Sequence, residues 1–156
     1  MVMAAIRSGK LITISSVSVL AYVVLYLLLS PLLPEHLARH AGTDGVGYSP
    51  LSVTVLIVGL VATLSLLIGI LAYRDFTSLG HWYPGPKSIV VCFLSAGFGI
   101  LGLGVAMMMA VLGREAEESG SRPIGMGLLG LLLIFAISAG ILVRALPRAE
   151  PESLST

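Results

Sequence analysis

An all-α integral membrane fold is what the sequence predicts: four transmembrane helices packed as an antiparallel bundle, N-in/C-in, with a short interfacial helix in the first outer loop. Three observations lead there. Charged residues make up 11% of the 156-residue chain against 56% hydrophobic, whereas soluble domains carry roughly 25% charged residues. No Asp, Glu, Lys, Arg or His falls in 11–33, 51–73, 88–113 or 123–143. About 20 apolar residues at ~1.5 Å each cross a hydrocarbon core of ~30 Å, and each of these windows is long enough. The basic residues, finally, are split unevenly between the connecting segments. A soluble four-helix bundle would need polar faces recurring every three to four residues, and these windows have none.

The first span covers about 11–33. Its apolar run exceeds the ~7–15 residues of a signal-peptide core and no small-x-small cleavage site follows, so it is expected to remain as a membrane helix. Ser15, Ser18, Tyr22, Tyr26 and Ser30 are spaced 3, 4, 4 and 4 apart, which aligns them on one helical face. That face should turn toward protein. Interhelical hydrogen bonding, worth about 0.6 kcal/mol per contact, is the expected role; the wall of a polar pathway or a quinone-sized pocket is the alternative.

The first outer loop opens with PEHLARHAG, 34–42. Pro34 at a first helical position and Gly42 past the end match helix start and stop chemistry, so a helix of about two turns is expected, with His36 and His40 on one face. Two imidazoles at that spacing are half a zinc or copper site. Met107 and Met108, at the outer end of the third span, and Glu115, Glu117 and Glu118 beyond it fall on the same side of the membrane, a ligand mixture that would suit copper. The plainer expectation is an amphipathic outer cap with methionine as apolar filler. No cofactor is expected, and copper or zinc bound by His36, His40, Met107 and Met108 is the alternative.

The second span, 51–73, leads into an inner loop with Trp82 and Tyr83, expected to anchor at the headgroup level. Pro84-Gly85-Pro86 forces a turn, and His81 beside it reads as a solvated loop residue. The third span, 88–112, carries small residues at helix-packing spacing: Ser95, Gly99, Gly102, Ala106 and Ala110. The fourth, 124–146, continues with Gly127, Gly130, Ala136 and Gly140. Such residues let helix backbones approach closely, which matters where lipid removes the hydrophobic drive between helices. Residues 1–147 form a single transmembrane domain, and the proline-broken polar tail 148–156 is expected to be disordered in the cytoplasm.

Arg7, Lys10, Arg74, Lys87, Arg144 and Arg148 flank the side holding the termini and the middle loop, against Arg39, Arg114 and Arg122 opposite. A Lys/Arg excess marks the cytoplasmic face, so both termini read as cytoplasmic, in the plasma membrane. The lone Cys92 excludes a disulfide framework. Asn and Gln are absent; loss of thermolabile amides fits a thermophile, and a GC-rich genome would account for the Arg excess equally well.

Proton relays, coupled transporters and voltage sensors place ionisable groups within their spans, and haem between spans needs an imidazole at depth. Neither is present in this sequence, and no catalytic motif is either. The expected partners are the lipid bilayer and other membrane-protein subunits, with no nucleic acid. The expected function is a non-catalytic, accessory subunit of a multi-subunit membrane complex, energy-converting complexes being one class. A homo-oligomeric channel or carrier for a neutral solute, and an outer-face metal binder, are the alternatives.

Overall fold

The computed structural model describes residues 2–43, 45–114 and 119–151. Four long helices dominate: α1 (Val2–Leu29), α2 (Leu51–Ser78), α3 (Pro84–Val111) and α4 (Arg122–Ala145). A single 3-10 turn, Ser30–Leu32, ends α1, and two strands, β1 (His36–Gly42) and β2 (Gly45–Pro50), fill the connection to α2. The four apolar stretches Ser8–Leu32, Leu51–Ser78, Pro84–Val111 and Arg122–Ala145 are each long and apolar enough to cross a membrane. They match the predicted spans to within a few residues.

The helices are apolar outward as well as inward. Leu20 is 62% exposed, Leu56 70% and Leu132 63%, the reverse of a water-facing helix. Several hydroxyls turn back onto their own helix: Thr13 donates to the carbonyl of Gly9, Ser18 to Ile14, Thr63 to Gly59 and Ser138 to Ile134. Where lipid offers no partner, this i−4 bond is how a Ser or Thr hydroxyl satisfies itself.

The helices pack antiparallel, and α3 is the central one. In its most apolar window 44% of residues are buried, against 11% in α1 and in α4. Helix α3 lies between α2 and α4, while α1 rests mainly on α2 and touches α3 at few positions. Sequence explains the centrality, because α3 presents glycine on both sides. A methyl on Gly97 would stand 2.5 Å from Leu66 and one on Gly102 2.6 Å from Ile134, so the backbone of α3 is pressed against α2 and α4 alike. A polar stitch joins the α2–α3 seam, where the Ser65 hydroxyl donates to the Phe93 carbonyl at 2.8 Å.

The connection between α1 and α2 departs from expectation. Residues 36–42 form a strand, not an interfacial helix, paired antiparallel with 45–50 from His36↔Pro50 to Gly42↔Gly45. Two turns of helix are marginal alone, and Leu37 is the one large aliphatic residue among 36–42 to hold such a helix down. The ribbon instead satisfies its backbone in pairs and still buries Leu37 to 2% exposure. Gly45 turns back at φ 106°, a conformation that side chains resist. A bulge between Ala38 and His40 interrupts the alternation of faces, so the helical argument for His36 and His40 sharing a face no longer holds. The hairpin packs on α2 and α4, tied down where the Leu51 N–H donates to the Glu35 carbonyl at 2.9 Å.

At the opposite end Trp82 packs inward. Its ring is buried, edge-on to Tyr73 at 5.2 Å. The indole N–H donates to the Pro147 carbonyl at 3.1 Å, and the Trp82 carbonyl accepts from the Glu150 N–H at 2.9 Å. Tyr83 is half-buried and stacks on His81. The start of the tail is thereby held: Leu146 is buried and Ala149 packs against the core, while 152–156 lie outside the described residues. The Lys87 ammonium donates to the Val143 carbonyl at 2.9 Å, a cation at the C-terminal end of α4 where the helix dipole favours it. Trp82→Phe keeps the ring and removes the donor. It is expected to cost about 1 kcal/mol and to raise proteolytic cleavage after Ala145 in detergent, read by mass spectrometry of the fragments.

Candidate functional site

With no Asp, Glu, Lys, Arg or His at mid-span, a site must be built from shape, backbone approach and hydroxyls. Tyr22 is the clearest instance. It projects from α1 into a socket formed by two glycines, Gly59 on α2 and Gly104 on α3. A methyl on Gly104 would lie 2.7 Å from the tyrosine, and one on Gly59 3.3 Å from it. The ring is 3% exposed, and its hydroxyl donates across to the Val55 carbonyl at 3.2 Å. One side chain thus joins α1 to both neighbours.

The predicted hydroxyl stripe on α1 divides around this knob. Ser15 is buried and its hydroxyl has no partner. Ser18 is half-buried and bonds its own helix, Tyr26 packs at the edge of the core, and Ser30 is exposed, bonded to the Leu27 carbonyl. The stripe faces protein from Ser15 to Tyr26 and leaves it at Ser30, where α1 gives way to the 3-10 turn. The bonded hydroxyls are spent on backbone carbonyls, so they line no continuous polar track.

The predicted small-residue faces divide as well. Gly99, Gly102, Ala106, Gly127 and Gly130 form the α3–α4 seam: a methyl on Gly130 would meet Ala106 Cβ and the Gly102 carbonyl oxygen at 2.6 Å each, and one on Gly99 would stand 3.0 Å from the Leu131 carbonyl oxygen. Ser95 and Ala110 are buried in α3, and the Ser95 hydroxyl is without a partner. Ala136 and Gly140 do not belong to the seam. Ala136 is exposed, and a methyl on Gly140 would find only the Arg144 guanidinium, 3.8 Å away. The seam runs through Leu131 and Phe135, and each further residue turns about 100° around the helix. Sequence reading missed Gly59, Gly69, Gly97 and Gly104, the glycines facing α1, α2 or α3. Gly97 and Gly104 are seven apart, a spacing that signals a second packed face on α3.

An apolar groove of about 520 Å³ lies between α1 and α4, floored by α3. Ala21, Tyr22 and Leu25 form one bank, Leu133 and Ile134 the other, and Gly102, Val105 and Ala106 the floor. Its Tyr22 and Ser18 hydroxyls are already bonded to carbonyls, so the groove offers contact surface and close backbone approach but no acid, base or nucleophile.

The metal-ligand candidates are placed apart in role. His36 is exposed on β1, whereas Met108 is 1% exposed and Met107 packs with its Cγ against Gly127. The His40 side chain and Glu115, Glu117 and Glu118 lie outside the described residues. Among the described residues no three His, Cys, Asp or Glu side chains gather as a metal site. Cys92 is exposed on α3. Comparison with known protein families, curated proteins and solved structures finds no match for this chain.

Proposed function

We propose that this chain is a small non-catalytic subunit of a larger membrane assembly, inserted in the plasma membrane with both termini in the cytoplasm. The observation that carries the reading is the groove between α1 and α4. Its floor of Gly102, Val105 and Ala106 is apolar and set back between two helix banks, a surface on which a helix from another subunit can pack by close approach. The orientation rests on six basic residues flanking one side against three on the other.

Purification in mild detergent followed by native mass measurement tests the proposal. The expected outcome is a complex heavier than the chain, lost when Ala21→Trp fills the groove while the variant's own melting temperature stays within about 0.5 kcal/mol equivalent of the parent. A monodisperse, partner-free monomer contradicts it. The channel reading has less support, because the seams from α1 to α4 interlock and a passage would have to form between copies. Flux of a neutral solute through liposomes holding this chain alone would favour it.

A further inference from the structure

A second cleft, of about 540 Å³, lies between α1 and α2 toward the end of the molecule that holds the termini. Ile12, Val19, Leu66 and Ile70 are among its apolar walls, and Ser15 lines it from α1 and Arg74 from α2. We infer that this cleft binds an anionic amphiphile, with its oxyanion head on Arg74 and Ser15 and its aliphatic tail along the apolar walls.

The polar end holds a buried hydroxyl that nothing among the described residues satisfies. Ser15 is 5% exposed and its hydroxyl has no hydrogen-bond partner, whereas Thr63, also on the cleft wall, is bonded to its own helix at 2.7 Å. A buried hydroxyl without a partner carries a desolvation penalty that an incoming acceptor relieves. Arg74 is exposed and, among the described residues, no carboxylate forms an ion pair with it. Side chains on a helix lean toward its N-terminus. In antiparallel α1 and α2 the Ser15 and Arg74 side chains therefore lean toward each other.

The remaining wall fits a tail. From Ile12 to Val23 on α1 the cleft runs roughly 16 Å at helical rise, the length of an extended aliphatic chain, and its volume is in the range of small-ligand sites. Arg74 closes the apolar run of its span, which sets a guanidinium at headgroup depth, where it reaches a phosphate or carboxylate oxyanion in charge-assisted hydrogen bonds.

The test uses the full chain in an uncharged detergent. Phosphatidylglycerol, oleate and phosphatidylcholine are added separately, and bound adducts are counted by native mass spectrometry. Retention of phosphatidylglycerol or oleate over phosphatidylcholine is expected, and which of the two is held separates a phosphate head from a carboxylate. Arg74→Gln should weaken retention by about tenfold, Ser15→Ala by a few-fold, and Arg144→Gln, an arginine at the same end but outside the cleft, should leave it unchanged. Equal retention of phosphatidylcholine, or an Arg144→Gln loss as large as that of Arg74→Gln, overturns the assignment. Ser15→Ala keeps the helix and the charge, so its readout does not depend on a refolded variant.

Discussion

Gly130→Leu is expected to destabilise the protein by about 3 kcal/mol or more, because overpacking a filled seam forces backbone to move. A methyl at that position already meets Ala106 Cβ and the Gly102 carbonyl oxygen at 2.6 Å. The carbonyl belongs to helix α3, which cannot step aside without losing its own contact with α2. The loss should be read as a lowered melting temperature in detergent, and Ala136→Leu is the matched control. Ala136 is exposed one residue past the seam residue Phe135, so a larger aliphatic there meets lipid and the change should stay within about 0.5 kcal/mol. Equal effects at 130 and 136 would mean that α4 is rotated from the position described.

Tyr22→Ala is the second large effect. Helix α1 is the most lightly packed of the four, and this ring reaches both α2 and α3. Removing a buried aromatic costs about 3 kcal/mol or more where the site cannot collapse, and the glycine-lined socket has no flexible side chain to fill it from the Gly59 and Gly104 positions. Tyr22→Phe separates shape from hydrogen bonding: it loses only the bond to the Val55 carbonyl, about 0.6 kcal/mol in a membrane setting. A large loss for Phe and a small further loss for Ala would invert this account, making α1 a hydrogen-bonded helix rather than a packed one.

The contrast shows which parts of the structure were legible in the sequence. The four long apolar helices were legible because length and freedom from charge belong to each segment alone. Pairing between segments depends on two partners at once. Small residues occur on several faces of α3, and spacing alone assigned Gly99 and Gly102 to a packed face while leaving Gly97 and Gly104 unassigned. On α4 the same rule reached past the seam to Ala136 and Gly140, since periodicity does not say where neighbouring helices diverge. PEHLARHAG shows another limit. Pro34 and Gly42 are compatible with helix ends, but the backbone is satisfied by 45–50, whose glycines and Pro50 matter only once the two segments meet. Trp82 was read as an interface anchor from its place beside a span, and its bond to Pro147 lies 65 residues away in sequence.

The groove between α1 and α4 was not legible at all. It exists because α1 leans on α2 through Tyr22 while α4 closes on α3 through Gly127 and Gly130, leaving the space between them unfilled. The members of the hydroxyl stripe differ in the structure: Tyr22 is a packing knob, Ser18 is self-bonded and Ser15 is unpaired.

Sided labelling in sealed vesicles tests the four-span architecture most directly. On a background with Cys92→Ala, single cysteines replace Tyr48 on the hairpin, His81 between α2 and α3, and Glu150 beyond α4. The account predicts that a membrane-impermeant maleimide reaches positions 81 and 150 from one side and position 48 only from the other. Labelling of 48 and 81 from the same side would contradict it.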